Sequence, residues 1–394
     1  MAHKGVFQPI LKVARRELCK VAKEPVYQAI LIYLPALSFL FFVLFFEQGV
    51  ARNIPIAVVD NDHTSSSRKM ITMIDATPAA MVSYECNNIT EAEALMFEGR
   101  ASAVVVVERG FESAILGGMQ ARVGNYISGV NISANGLLSR DIQAAVETFA
   151  AGVELQRLVA EGLTREQAMA QILPIRTEQH VLFNPYTNYG YYLMPAFMPM
   201  MLLLFTLCST IFSIGVELKN STAQEWLATA DDSIVSALAG KLLPITMAMM
   251  LAAMVMFWVM FAVAGVPLNG SLVLLSIATL LLISAYEAIG VAFIALLCNM
   301  RLALSLGGGY AVMAFTFSGI TFPIMAMYPA MQYMSRLFPL SFYSNLFIDQ
   351  AMRGAPIAYS LADIGYLALF MVLIPITLPR LKRVCADARY WGRI

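Results

Sequence analysis

The chain has 394 residues, 59% of them hydrophobic and 13% charged, where a soluble domain carries about 25% charged residues. That composition excludes an ordinary water-exposed surface, and the 25 Met, 23 Phe and 16 Tyr suit lipid-facing helices and interfacial belts. The 26 basic and 26 acidic side chains cancel to a formal net charge of +0, which gives no sign of a nucleic-acid partner. The spacing of Cys19, Cys86, Cys208, Cys298 and Cys385 argues against a disulfide framework or a metal clip.

At the amino end, Phe7, Ile10, Leu11, Ala14, Leu18 and Val21 recur at helical spacing, while Lys12, Arg15, Arg16, Lys20 and Lys23 fall largely on other faces. A basic amphipathic helix of this kind lies in a bilayer surface, so residues 1–27 are predicted to be a cytoplasmic interfacial segment. The apolar run that follows, residues 28–46, is too long for a signal-peptide core and lacks a clear small-residue cleavage site. It reads as a retained first span.

Residues 47–188 are more polar. Ile54 to Val59 is a short apolar run ended by Asp60-Asn61-Asp62, and Ala103 to Val107 is a Val-rich run followed by Gly110; both read as buried strands. Residues 65–75, 90–98 and 134–160 carry helical patterns, so an inserted α/β domain is expected, long enough to bury its own core.

Runs long enough to cross a bilayer then return at 190–216, 237–265, 271–297, 302–322 and 362–379. With the first, they predict an α-helical polytopic membrane protein of about six transmembrane helices. Lys and Arg cluster before residue 28 and in the tail 380–394, and Lys219 and Arg301 fall in connections between spans. By the positive-inside rule both termini are then cytoplasmic and residues 47–188 extracytoplasmic. The segment 323–361, broken by Pro323, Pro329 and Pro339, is expected at the outer face as short re-entrant or surface helices, or as an ordinary external loop.

Signs of catalysis are sparse. His3, His63 and His180 have no Cys or carboxylate pair at ligand spacing. Gly240-Lys241 resembles part of a phosphate loop, but Val235 and Leu242 stand where that loop needs Gly and Ser or Thr. One carboxylate, Glu287, lies inside a span. It is either a substrate or proton contact or a hydrogen-bonded structural residue. The connection 217–233 places Leu218, Trp226 and Leu227 among Glu217, Lys219, Gln224, Glu225, Asp231 and Asp232. That pattern suits a docking helix with one buried aromatic, or a solvated loop with Trp226 as an interfacial anchor.

The order of elements, with an amphipathic helix, one span, a large external insertion and then further spans, resembles the permeases of ABC-2 class exporters. Leu18 to Pro25 (LCKVAKEP), Glu98 to Val107 followed by Gly110-Phe111, Phe183-Asn184-Pro185 and Lys241-Leu242-Leu243-Pro244 are similar to strings at the same places in that family. In its cytoplasmic signature, Glu217, Thr222 and Leu227 match, whereas Val216, Ser221 and Gln224 depart. The resemblance implies two permease subunits, as a homo- or heterodimer in a bacterial inner membrane, driven by two cytoplasmic ABC ATPase subunits. ATP and Mg would be bound by those partners, and this chain would bind no cofactor and perform no catalysis itself. Glu217, Thr222, Gln224, Glu225, Trp226 and Leu227 would couple to the ATPase, and Tyr286, Glu287, Tyr310, Phe315 and Phe317 would line a substrate pathway. A periplasmic membrane-fusion adaptor is a further partner that some relatives use. The competing expectations are a membrane-anchored receptor or assembly factor whose insertion binds a ligand or protein, and a gradient-driven carrier, for which Glu287 is the one convincing intramembrane charge. The substrate is left open, with the Met- and Phe-rich spans favouring an amphipathic one.

Overall fold

The computed structural model describes residues 7–175, 178, 180–185 and 187–392. His3, and Lys4 and Arg393 among the flanking cations, lie outside the described residues. The chain divides into two compact units, Met1–Gly49 with Val181–Ile394, and Val50–His180.

The first unit opens with α1 (Phe7–Lys23). Pro25 ends it, because the residue before a proline is pushed out of the helical region; Glu24 is extended, with φ −98° and ψ 112°. The chain continues as α2 (Pro25–Gln28), a π turn over Ala29–Tyr33 and α3 (Leu34–Phe45). Together they form one apolar helix of 21 residues.

The second unit is built on a four-stranded sheet in the order β2-β1-β3-β4. Strand β1 (Ile54–Asp60) leads to α4 (Ser65–Asp75), β2 (Ala80–Cys86), α5 (Ile89–Phe97), β3 (Ala103–Val107), α6 (Phe111–Leu116) and β4 (Val123–Ile127). The long α7 (Ile132–Ala160) and the short α8 (Arg165–Ile172) follow. β1 pairs parallel with β2 and β3, and β3 pairs antiparallel with β4. Alternation along β1 and β3 feeds two cores. Ile56, Val58 and Val105 pack with Met70, Ile74 and Leu138 on one face, while Ala57, Val59 and Val104 pack with Ala92 on the other. The sequence pattern did not mark β2 or β4: β2 mixes Ser83 and Glu85 into its run, and β4 carries Gly124 and Asn125.

The first unit resumes with α9 (Tyr189–Lys219), α10 (Ala223–Thr229), α11 (Ile234–Phe257), which runs on as a π segment to Val263, and α12 (Leu272–Leu297). Then come α13 (Met300–Thr316), α14 (Pro329–Ser335), α15 (Pro339–Phe347) with a π turn to Arg353, α16 (Ile357–Phe370) and α17 (Leu373–Ala386). α9 and α12 are the most enclosed helices: Leu202, Leu207, Ile211 and Ile214 meet Ala278, Leu282 and Ile294 in one core. Gly290 lets them approach closely, since a Cβ there would lie 3.0 Å from the side chain of Thr210.

Among the described residues, five helices are long and apolar enough to cross a membrane: Pro25–Phe45, Tyr189–Lys219, Ile234–Val263, Leu272–Leu297 and Ile357–Ala386. The chain is a polytopic helical membrane protein. The expected run 302–322 corresponds to α13, which has 17 residues, about 26 Å at 1.5 Å each. It stops at Thr316 because Ser318 turns its hydroxyl back to the Phe315 carbonyl at 2.7 Å and Gly319 adopts φ +85°. The 323–361 segment holds α14 and α15, and α15 packs Leu340, Tyr343, Leu346 and Phe347 inside the helical unit. Tyr343 is joined to Thr279 of α12 at 2.9 Å.

Candidate functional site

Two tight reversals define the connection between α9 and α11. Ser221, at φ 59°, precedes α10, and Asp231 and Asp232, at φ 52° and 60°, follow it; Asp tolerates this left-handed region better than bulkier residues. α10 is thereby folded against α1, α11 and α17. Its anchor is Trp226, fully buried, whose indole N–H donates to the Ala237 carbonyl of α11 at 3.2 Å.

Beneath Trp226 lies a buried ionic cluster. The Lys241 ammonium, 5.0 Å from the centre of the Trp226 ring, donates to Glu17 Oε2 of α1 at 2.7 Å and to Glu217 Oε1 of α9 at 3.1 Å. All three charged residues are at most 1% exposed. Arg16 grips both oxygens of Glu217 at 3.0 and 3.1 Å, Lys20 donates to the same carboxylate at 2.6 Å, and the Thr222 hydroxyl donates to Oε2. The other oxygen of Glu17 accepts from Ser213 at 2.9 Å and from the Tyr27 hydroxyl. Three cations thus surround two anions, and every carboxylate oxygen has a donor. Charges this deep are tolerable only when paired, so α1, α9 and α11 are tied to one another through buried ion pairs, and α10 joins them through the Thr222 hydroxyl and the Trp226 ring.

Local sequence explains the convergence. Glu17 is the sole acid of α1 and falls on the stripe of Val13 and Ala14, both buried. α1 can lie on α11 because Gly240 has no side chain: a Cβ there would stand 2.6 Å from the Ile10 carbonyl oxygen and 2.7 Å from Val13 Cβ. The Gly240-Lys241 pair that resembles a phosphate loop therefore serves a helix contact and an ion cluster.

Of the residues singled out for coupling, Glu217, Thr222 and Trp226 belong to this cluster and Leu227 is buried beside it, while Gln224 and Glu225 are exposed. The five cations of α1 do not act alike. Lys12, Arg15 and Lys23 are exposed, but Arg16 and Lys20 turn inward, at 22% and 24% side-chain exposure. Those two turn inward because the Glu217 carboxylate draws them in. Glu17, Ser213 and Tyr27 did not stand out in the sequence, although a lone acid on an apolar helical stripe was a usable signal.

The pathway candidates divide as well. Glu287 bonds Thr246 of α11 at 2.7 Å and is 4% exposed. Tyr286 is fully buried and meets the Tyr310 ring edge-on at 6.1 Å. Tyr310 donates to the Leu337 carbonyl at 2.7 Å, Phe315 stacks on Phe197 at 4.9 Å, and Phe317 stacks on Phe338 at 5.6 Å. These contacts are those of packed rings and an interhelical polar bond.

No curated protein matches the sequence. A family model described as ABC-2 family transporter protein matches residues 26–376, which takes in the whole helical unit from α2 to Ile376 as well as the insertion. With five apolar spans and a buried ionic joint at the α9–α11 connection, the chain belongs to the ABC-2 family of transporter proteins, membrane permeases that work with an ABC ATPase.

Proposed function

We propose that the chain is the permease subunit of an ATP-driven exporter in a bacterial inner membrane, working as a dimer with cytoplasmic ATPase subunits that hold ATP and Mg. In this reading α10 is the surface on which the ATPase bears. Gln224, Glu225, Asp231 and Asp232 are exposed there, an acidic face suited to a basic counter-surface. The observation that carries the proposal is Lys241, held at 2.7 Å by α1 and at 3.1 Å by α9 directly beneath the α10 anchor Trp226. A push on α10 is transmitted to α1, α9 and α11 together, because sliding any one of them exposes an unpaired buried charge. Residues 47–188 then stand on the far side of the membrane, available to an adaptor. Glu287 and Tyr286 are the pathway candidates this reading retains, whereas Tyr310, Phe315 and Phe317 fit a packing role.

The test is affinity purification of the tagged protein in mild detergent, with identification of co-purifying chains. A stoichiometric cytoplasmic ATPase, retained by wild type and lost on charge reversal of the exposed pair Glu225→Lys and Asp231→Lys, is the expected result. A helical unit that purifies intact and repeatedly without any ATPase would instead favour a receptor or assembly factor acting through the insertion.

A further inference from the structure

One α1 cation left over from the cluster, Arg15, borders a groove. Arg15 lines an open apolar channel of about 760 Å³, with Leu11, Ala14 and Leu18 of α1 on one wall and Leu243, Met247 and Met254 of α11 on the other. It exists because the two backbones touch at Gly240 and part again along α11. A second hollow of about 220 Å³ extends it, sharing Ala248 and Leu251 and walled by Leu31, Ile32 and Phe39. Lys12 is exposed three residues before Arg15, so both ammonium and guanidinium groups project from one side of the helix. Among the described residues, neither has an acidic partner within salt-bridge distance, in contrast to Arg16 and Lys20.

An open apolar groove with Arg15 in its wall and exposed Lys12 one helical turn away matches one kind of molecule. We propose that it binds one anionic glycerophospholipid, the phosphate on Arg15 and Lys12 and an acyl chain along α11 toward Phe39. Basic pockets between helices at the membrane surface hold acidic headgroups by the same pairing of charge and apolar burial. Seated there, the lipid braces the α1–α11 contact, the same contact that carries Lys241 to Glu17. The site does not depend on which ATPase or substrate the permease serves.

The experiment is native mass spectrometry and thermal unfolding of the full-length, delipidated protein titrated with phosphatidylglycerol or with phosphatidylcholine of identical acyl chains. Wild type is expected to bind one phosphatidylglycerol several-fold more tightly than phosphatidylcholine, with a rise in Tm. Lys12→Gln and Arg15→Gln should each reduce that preference by about five-fold, and Arg15→Lys should keep it. Ala248→Trp, which fills the channel where the two hollows meet, should abolish binding with both cations intact. Lys12 and Arg15 are exposed, so their variants leave folding unaffected, and the lipid-free melting curve verifies this. Equal retention of the two lipids by wild type, or a preference unchanged by the double Gln variant or by Ala248→Trp, would overturn the proposal.

Discussion

Lys241 and Glu17 meet at 2.7 Å across 224 residues of sequence, both enclosed by protein. Neither residue satisfies its charge within its own helix, so the bond exists only when α1 lies on α11. The pair is therefore a sensor of that docking as much as a contributor to it.

Removing the central cation should be costly. Lys241→Met leaves Glu17 with only Ser213 and Tyr27 as donors and is expected to destabilise the helical unit by about 3–5 kcal/mol, the scale of breaking a buried ion pair. Adding Glu17→Gln to that variant should restore part of the loss, since the orphaned anion is gone. Thermal or denaturant unfolding of the four proteins of the cycle in detergent measures the coupling; strictly additive losses would show that the two residues do not interact.

Gly240→Ala pits two effects against each other. Alanine gains up to about 1 kcal/mol of helix propensity over glycine, but its Cβ would lie 2.6 Å from the backbone oxygen of Ile10, an atom that cannot rotate away. Overpacking at about 1–3 kcal/mol is expected to win. Net destabilisation, with faster proteolysis within α1, is the outcome to look for; a more stable protein would mean that α1 does not sit on α11 as described.

The Thr246 hydroxyl has one hydrogen and two oxygen partners, the Leu242 carbonyl at 3.0 Å and the Glu287 carboxyl at 2.7 Å. A side-chain amide at 287 supplies a donor of its own, so Glu287→Gln should change stability by less than about 1 kcal/mol. Glu287→Lys places an unpaired cation in the core and should destabilise the unit by several times that amount. If Gln proves as harmful as Lys, the negative charge itself is required at this position.

In the second unit, Asp62 has its carboxyl held below the ordinary value, chiefly by the backbone N–H of Glu112, with Thr64 and the N–H groups of Gly110 and Phe111 assisting. A depressed folded-state value means stability that is present above the unfolded aspartate value and is lost as pH falls through the folded one. Protection factors for hydrogen exchange at the start of α6, taken relative to the intrinsic rate at each pH, should fall on acidification through that window. Asp62→Asn should show faster exchange already at neutral pH and a flatter pH profile there.

The spans were legible because a run of about twenty apolar residues matches the thickness of a bilayer's hydrocarbon core, and the strands β1 and β3 because Val-rich runs end in turn residues. Trp226 stood out as the one large aromatic in a polar connection. The cluster beneath it did not. Lys12, Arg15, Arg16 and Lys20 share one helix and one charge, and only the position of Glu217, about two hundred residues away, decides which two turn inward. Glu17 was hidden for a related reason: an acid on an apolar stripe makes sense only once Lys241 is known to arrive from α11. The end of α13 at Thr316 was not legible because hydropathy does not register the turn at Ser318-Gly319 that stops it.

The claim that the cluster makes α1 and α10 one mechanical body is tested most directly by measuring a distance between them. Spin labels at Lys12 and Gln224, both exposed, in a Cys19→Ser background of the purified complex with its ATPase, would be read by double electron–electron resonance with and without ATP. The account predicts a narrow distance distribution that ATP does not shift, and one that broadens in Lys241→Met. A distance in the unsubstituted cluster that changes with ATP, or one indifferent to Lys241→Met, would contradict it.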